Sequence, residues 1–201
     1  MRPLAALPLL TALSIGPAVA FADCPRTSAL QEGIVVMYGA MDGDVFIRKD
    51  ATTVAMREFT FGPQTWEINL RHGHYIINDL EMRNGRPLAS GAMVYSYERE
   101  PAPPRANLDE EFNVVARFSN DPPEREQHRH RFGAAETRSI GTCSLTVIPV
   151  TVEYFNEGAF DAREDLWYLP DYGFSFVVAE QGATDRSPTT YQPQRIFAVV
   201  R

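Results

Sequence analysis

The sequence contains no block of basic residues, no second long apolar run, and only two cysteines in 201 residues. Each shortage excludes something. An acidic chain (net charge −7) without a basic block is a poor partner for nucleic acid and is not drawn to anionic lipid. With one apolar run only, at the N-terminus, no membrane span is expected once that run is removed. There is no G-x-S-x-G elbow, no H-E-x-x-H and no P-loop, so no hydrolytic or nucleotide chemistry is signalled by motif. No internal repeat, low-complexity tract or long helical pattern is present, which leaves one non-repetitive domain.

The N-terminal run reads as an export signal over residues 1–22. Arg2 supplies the positive end, Leu4 to Ile15 the apolar stretch, and Ala20-Phe21-Ala22 the A-x-A cleavage site. Cleavage leaves residues 23–201 as a single β domain of 179 residues with net charge −8. An even cysteine count in an oxidising compartment favours a disulfide between Cys24 and Cys143. A periplasmic or secreted location follows.

What is abundant is the alternation and turn chemistry of strands. Thr27 to Gly33 fits one helical turn. Strands are expected over Ile34–Tyr38, Val45–Lys49, Thr52–Phe61, Gln64–Leu70, Tyr75–Met82 and Pro87–Glu98. Asp42-Gly43, Gly62-Pro63, His72-Gly73-His74 and Asn84-Gly85 punctuate them. On Gln64–Leu70, Trp66, Ile68 and Leu70 point one way. Thr65, Glu67 and Asn69 form the opposite, wet face. Leu108 to Phe118 fits either a capped short helix or a strand, and the β-branched Val114 and Val115 favour the strand. Ser119 to Gln127 reads as a polar loop, followed by short strands over His128–Phe132 and Thr137–Ile140.

The densest β-branched and aromatic stretch is Cys143 to Gln181. Cys143, Leu145 and Val147 share one face, whereas Val150, Val152 and Tyr154 share the other parity. A bulge or bend is therefore expected at Ile148-Pro149. Leu166-Trp-Tyr-Leu169 carries bulk on both faces. Further strands follow over Asp165–Leu169, Phe174–Glu180 and Arg195–Val200. The expected fold is all-β: a curved antiparallel sheet of about ten strands, a half-barrel or open barrel, with few short helical turns.

Ile140-Gly-Thr-Cys-Ser-Leu-Thr-Val-Ile-Pro-Val150 and Leu166-Trp-Tyr-Leu-Pro-Asp-Tyr-Gly-Phe174 resemble a family of exported bacterial proteins of unknown function. The second segment also resembles the DUF3108-like and LolA/LolB-like half-barrels of the cell envelope. The resemblance spans Gly141 to Val178. It implies a periplasmic curved sheet with a hydrophobic concave side, and transfers no catalytic residue.

Two residue sets are candidates for function. The aromatics Trp66, Trp167, Tyr168, Tyr172, Phe174 and Phe176 lie on or beside strands and would line a groove for an apolar small molecule, a lipid or an envelope protein. The four histidines form two His-x-His pairs, His72/His74 and His128/His130. In extended chain each pair points its imidazoles the same way, and together they would make a four-nitrogen copper or zinc site. Acidic pairs such as Asp109-Glu-Glu111 and Glu164-Asp165 read as solvated faces. The favoured reading is a non-catalytic envelope binding protein without a cofactor. The alternatives are metal handling through the histidines and an unrecognised hydrolase.

Overall fold

The computed structural model describes residues 24–58, 66–84, 86–119 and 121–199, with the backbone alone of Ala89 and Ser90. The expected signal segment, the Gly62-Pro63 stop and Gly85 of the Asn84-Gly85 turn lie outside the described residues.

A 3-10 turn, Thr27–Gln31, precedes fourteen strands. They are β1 (Ile34–Met37), β2 (Gly43–Arg48), β3 (Thr53–Glu58), β4 (Trp66–Arg71), β5 (Tyr75–Arg83), β6 (Arg86–Tyr97), β7 (Asp109–Phe118) and β8 (Glu124–Phe132). After them come β9 (Glu136–Ile140), β10 (Cys143–Asn156), β11 (Ala159–Leu169), β12 (Phe174–Gly182), β13 (Thr189–Thr190) and β14 (Arg195–Ala198). Among the described residues no helix is long and apolar enough to cross a membrane.

The strands form one antiparallel sheet in the order β13-β12-β11-β10-β8-β7-β6-β5-β4-β3-β2-β1-β14, with β9 paired to β10 off this path. The expected all-β antiparallel sheet is present, but with fourteen strands rather than about ten. The excess comes from short pieces such as β13, whose two residues are too few to show an alternation. The Glu124–Gln127 stretch, expected as loop, is the first part of β8. Its charged side chains are tolerated because this end of the strand is exposed on both faces, at Glu124 and Arg125. Leu108 to Phe118 resolves as strand β7.

Strand pairing does not close the sheet. Its two edges are β13 and β14, consecutive in sequence. Between them the Tyr191 amide donates to the Val178 carbonyl (2.8 Å) and the Gln194 amide to the Met37 carbonyl (2.7 Å). The same short segment thus touches both ends of the sheet, and the sheet must curl to allow it.

The interior holds two hydrophobic clusters. One gathers Leu30, Val36, Phe46, Leu70, Cys143, Val147, Leu169, Phe174 and Phe176. The other gathers Tyr75, Phe112, Phe132, Ile148, Val150, Val152, Leu166 and Tyr168. This pairing of clusters explains β10. Cys143, Leu145 and Val147 pack in the first cluster, Ile148, Val150 and Val152 in the second. The parity change expected to need a bulge at Ile148-Pro149 is met without one. Register with β11 is continuous from Ile148 to Tyr154, and the shift falls at Tyr154/Phe155. On the other edge β10 pairs β9 up to Val147 and β8 from Val150. Pro149 stands between the two partners, where no amide donor is required. Leu166-Trp-Tyr-Leu169 divides the same way: Leu166 and Tyr168 enter the second cluster, and Leu169 the first with Trp167 against it.

The expected wet face of β4 is also corrected. Glu67 and Asn69 are buried, 5% and 8% exposed. Arg57 (2.6 Å) and Lys49 (3.3 Å) pair with Glu67, and the Asn69 amide donates to Asn78 (2.8 Å). Burial opposes the Glu67 charge, but the Arg57 hydrogen bond and charge outweigh it and hold the carboxyl below its ordinary range.

Cys24 and Cys143 are joined by a disulfide. Beside it the Tyr172 hydroxyl donates to the buried Pro25 carbonyl at 2.7 Å. Removing that donor leaves the carbonyl unsatisfied. Tyr172→Phe is expected to cost about 1–2 kcal/mol, read as a lower urea midpoint with an unchanged slope.

Candidate functional site

Where the two clusters meet lies an interior cavity of about 80 Å³. Its wall draws Leu70 and Phe176 from the first cluster and Val152 and Leu166 from the second. Met56, Ile68, Ile76 and Val177 extend the apolar lining. The polar lining is His74, His128, His130, Ser175, Tyr97, Tyr154 and Glu164.

Strand geometry places these groups. His128 and His130 are two apart on β8, so both point inward, opposite Tyr154 and Val152 of β10. Glu164 lies opposite Val152 on β11. Ser175 is the second residue of β12, opposite Tyr168. His74 follows the β4–β5 turn, in which His72 and Gly73 both take positive φ (52° and 67°). That turn lies against β12, where the Ser175 amide donates to the Gly73 carbonyl at 2.9 Å.

A hydrogen-bonded chain results. His74 Nδ1 is 2.7 Å from Ser175 Oγ, His74 Nε2 is 3.0 Å from His130 Nδ1, and Ser175 Oγ is 3.2 Å from the Gly73 carbonyl. When Ser175 donates to Gly73, it accepts from His74, His74 accepts from His130, and His130 Nε2 carries a bare lone pair. When Ser175 donates to His74, every proton moves one step and Nε2 becomes a donor. In either state Nε2 is buried without a partner. His128 has a different fixture, with Nε2 2.6 Å from the Glu126 carboxylate.

Burial sets the charge states. It lowers His74 to about 3. Burial, then the charges of His74 and His130's other neighbour His128, pushes His130 well below the imidazole range. Both rings are neutral at physiological pH. Glu164 accepts from the Tyr154 hydroxyl at 2.8 Å. Burial nevertheless raises its pKa, the Tyr154 bond opposes that rise, and the charge of Glu180 adds to it.

These shifts give a signed expectation. On unfolding, His74 and His130 regain an ordinary imidazole pKa near 6.5 and take up protons below it. Their contribution to stability is therefore complete above about pH 6.5. It falls as the pH drops toward the folded-state values, by up to about 1.4 kcal/mol per pH unit for each ring. Nitrogen-15 NMR of the folded protein is expected to show both rings still neutral at pH 5, a point at which free imidazole is protonated. Titration of either ring near pH 6.5 would contradict their burial.

The residues expected from sequence are distributed unevenly. Of the six aromatics only Phe176 lines the cavity. Phe174 is a core residue stacked on Phe46 at 4.1 Å, and Tyr168 and Tyr172 are buried in the two clusters. Trp167 lies against Phe176 and under Arg138. Trp66, at the start of β4, is 43% exposed. Of the histidines, three join the cavity wall. His72 instead sits 3.9 Å from Glu100. Among the described residues no group of three or more His, Cys, Asp or Glu is arranged to hold a metal ion.

Glu164, Tyr154, Tyr97 and Ser175 were not among the sequence candidates. Glu164 was read as part of a solvated acidic pair. Its spacing carried the opposite signal, because Glu164, Leu166 and Tyr168 alternate on one face. No family model, curated protein or solved structure matches this chain.

Proposed function

We propose that this chain is an exported, non-catalytic binding protein that holds a small, largely apolar ligand in the cavity between its two clusters. The observation that carries the reading is the composition of the wall: eight apolar side chains, with the rings of two tyrosines and three neutral or paired histidines, converge with Ser175 and Glu164 on one enclosed space, as at a small-molecule site. At about 80 Å³, the space is near half of the roughly 150 Å³ cavity that admits benzene. A butyl-sized chain, or the end of a longer one, matches it. The disulfide accords with an oxidising compartment outside the cytoplasm.

Ser175 and His74 resemble a nucleophile and base only in composition. A general base works best with a pKa near the working pH, and His74 is held at about 3. The Gly73 carbonyl, 3.2 Å from Ser175 Oγ, also competes for the hydroxyl proton. Binding therefore accounts for this site better than hydrolysis does.

Methyl NMR with 1-butanol as the probe tests the reading. The methyls of Ile68, Leu70, Val152 and Leu166 are expected to shift in the wild type and not in Val177→Phe, whose ring takes up the cavity. No shift at these methyls in the wild type would remove the basis for a ligand site. Native mass spectrometry of protein purified without detergent then identifies the natural occupant.

A further inference from the structure

We infer that the ligand carries an amine, bound as its ammonium ion, with Glu164 as its counter-charge and tyrosine rings beside it. This inference rests on the apolar binding reading above and names the head group that the same cavity selects.

The argument begins with charge. Among the described residues the cavity wall contains one carboxyl group, that of Glu164, and no lysine or arginine. The three histidines in the wall cannot serve as its counter-ion. His74 and His130 are neutral, and His128 is bound to Glu126. Glu164 has one fixed partner from a neighbouring side chain, the Tyr154 hydroxyl. A half-buried carboxyl at the edge of an apolar cavity forgoes part of its hydration when it ionises, and no cation in the described wall offsets that loss. A ligand that brings the missing positive charge offsets it.

The surroundings match the same chemistry. Tyr154 and Tyr97 both line the cavity, and each ring stands edge-on to His128, at 4.8 and 6.0 Å. Tyrosine faces attract organic cations within about 6 Å, more strongly when water is excluded. The apolar wall from Ile68 to Val177 then receives the alkyl part. A carboxylate ligand would meet Glu164 as a like charge, and a neutral alcohol would leave it uncompensated.

A series of butyl probes on the wild-type protein tests this. Butylammonium is expected to bind at least about tenfold more tightly than 1-butanol, the margin of a charge-assisted over a neutral hydrogen bond, and butyrate not at all. Calorimetry in two buffers of different ionisation heat is expected to show proton release on butylammonium binding at pH values where free Glu164 is protonated. Glu164→Gln is expected to abolish the preference for butylammonium over 1-butanol. Octylammonium separates the sources of the amine. Tighter binding than butylammonium indicates the head of a longer amphiphile, and weaker binding a small free amine.

Equal affinity of butylammonium and 1-butanol, or a preference that survives Glu164→Gln, would overturn the inference and leave the apolar site intact. Failure of every probe, 1-butanol included, would overturn the apolar site itself. The wild-type series decides the matter even if Glu164→Gln does not fold.

Discussion

Breaking the Cys24–Cys143 bridge is expected to lower stability by about 4–5 kcal/mol, as the loss of a loop of this length implies in the chain-entropy model. The two cysteines are 119 residues apart, so the bridge restrains most of the unfolded domain. In the folded state the N-terminal segment has other anchors. Leu30 is buried in the first cluster and Pro25 accepts from Tyr172. The reduced protein is therefore expected to keep the same fold, with the loss arising mainly from a freer unfolded chain. Urea unfolding of the oxidised protein against Cys24→Ser/Cys143→Ser measures this. The expected result is a much lower midpoint and an unchanged methyl NMR spectrum. Equal midpoints would mean that the unfolded chain is compact enough without the bridge.

The disulfide and the strands were legible because they depend on local chemistry. A chain with two cysteines can form only one internal pairing, and Ile34–Met37 or Tyr75–Arg83 carry their own β-forming residues and turns. The two-cluster interior was not legible in the same way. The parity change at Val147/Ile148 was visible, but a strand with both faces buried against different clusters gives the same pattern as a bulged strand. Deciding between them needs the partners on each side, and those come from β8 and β9 on one edge and β11 on the other.

The cavity was partly legible for a related reason. Each His-x-His pair was expected to point its imidazoles the same way; His128 and His130 both line the cavity, whereas His72 and His74 part at the β4–β5 turn. Which histidines meet depends on β5 and β8 approaching across the curl of the sheet, a contact of residues 56 apart. Glu67 and Glu164 were misplaced because charged residues were assigned to water by default. Glu67 is buried with cations supplied by Lys49 and Arg57, whereas Glu164 is half-buried with none among the described residues of the cavity wall. That contrast between two carboxylates drawn into the protein is what directs attention to an ammonium ligand.

Gly73→Ala is expected to be strongly destabilising, at about 2–5 kcal/mol. Two costs combine. At φ +67° an L side chain is strained, by roughly 1–2 kcal/mol. The added Cβ would also stand 1.9 Å from the Gly173 carbonyl oxygen and 2.8 Å from the Phe174 Cα, both backbone atoms without a rotamer to relieve the clash. Separating the β4–β5 turn from β12 is the only relief, and overpacking of this kind typically adds about 1–3 kcal/mol. The same separation would pull the Gly73 carbonyl from Ser175 and shift His74, the residue that links the turn to His130. The variant is thus expected to lose stability and, in whatever fraction folds, the perturbation of Val152 and Leu166 methyls by 1-butanol. Gly158→Ala is the matched control. Gly158 also has positive φ, but a Cβ there meets nothing within 4 Å, so only the conformational cost should remain. A Gly73→Ala loss no greater than that of Gly158→Ala would show that the turn and β12 are not held in contact, and that the His74–His130 link does not depend on their apposition.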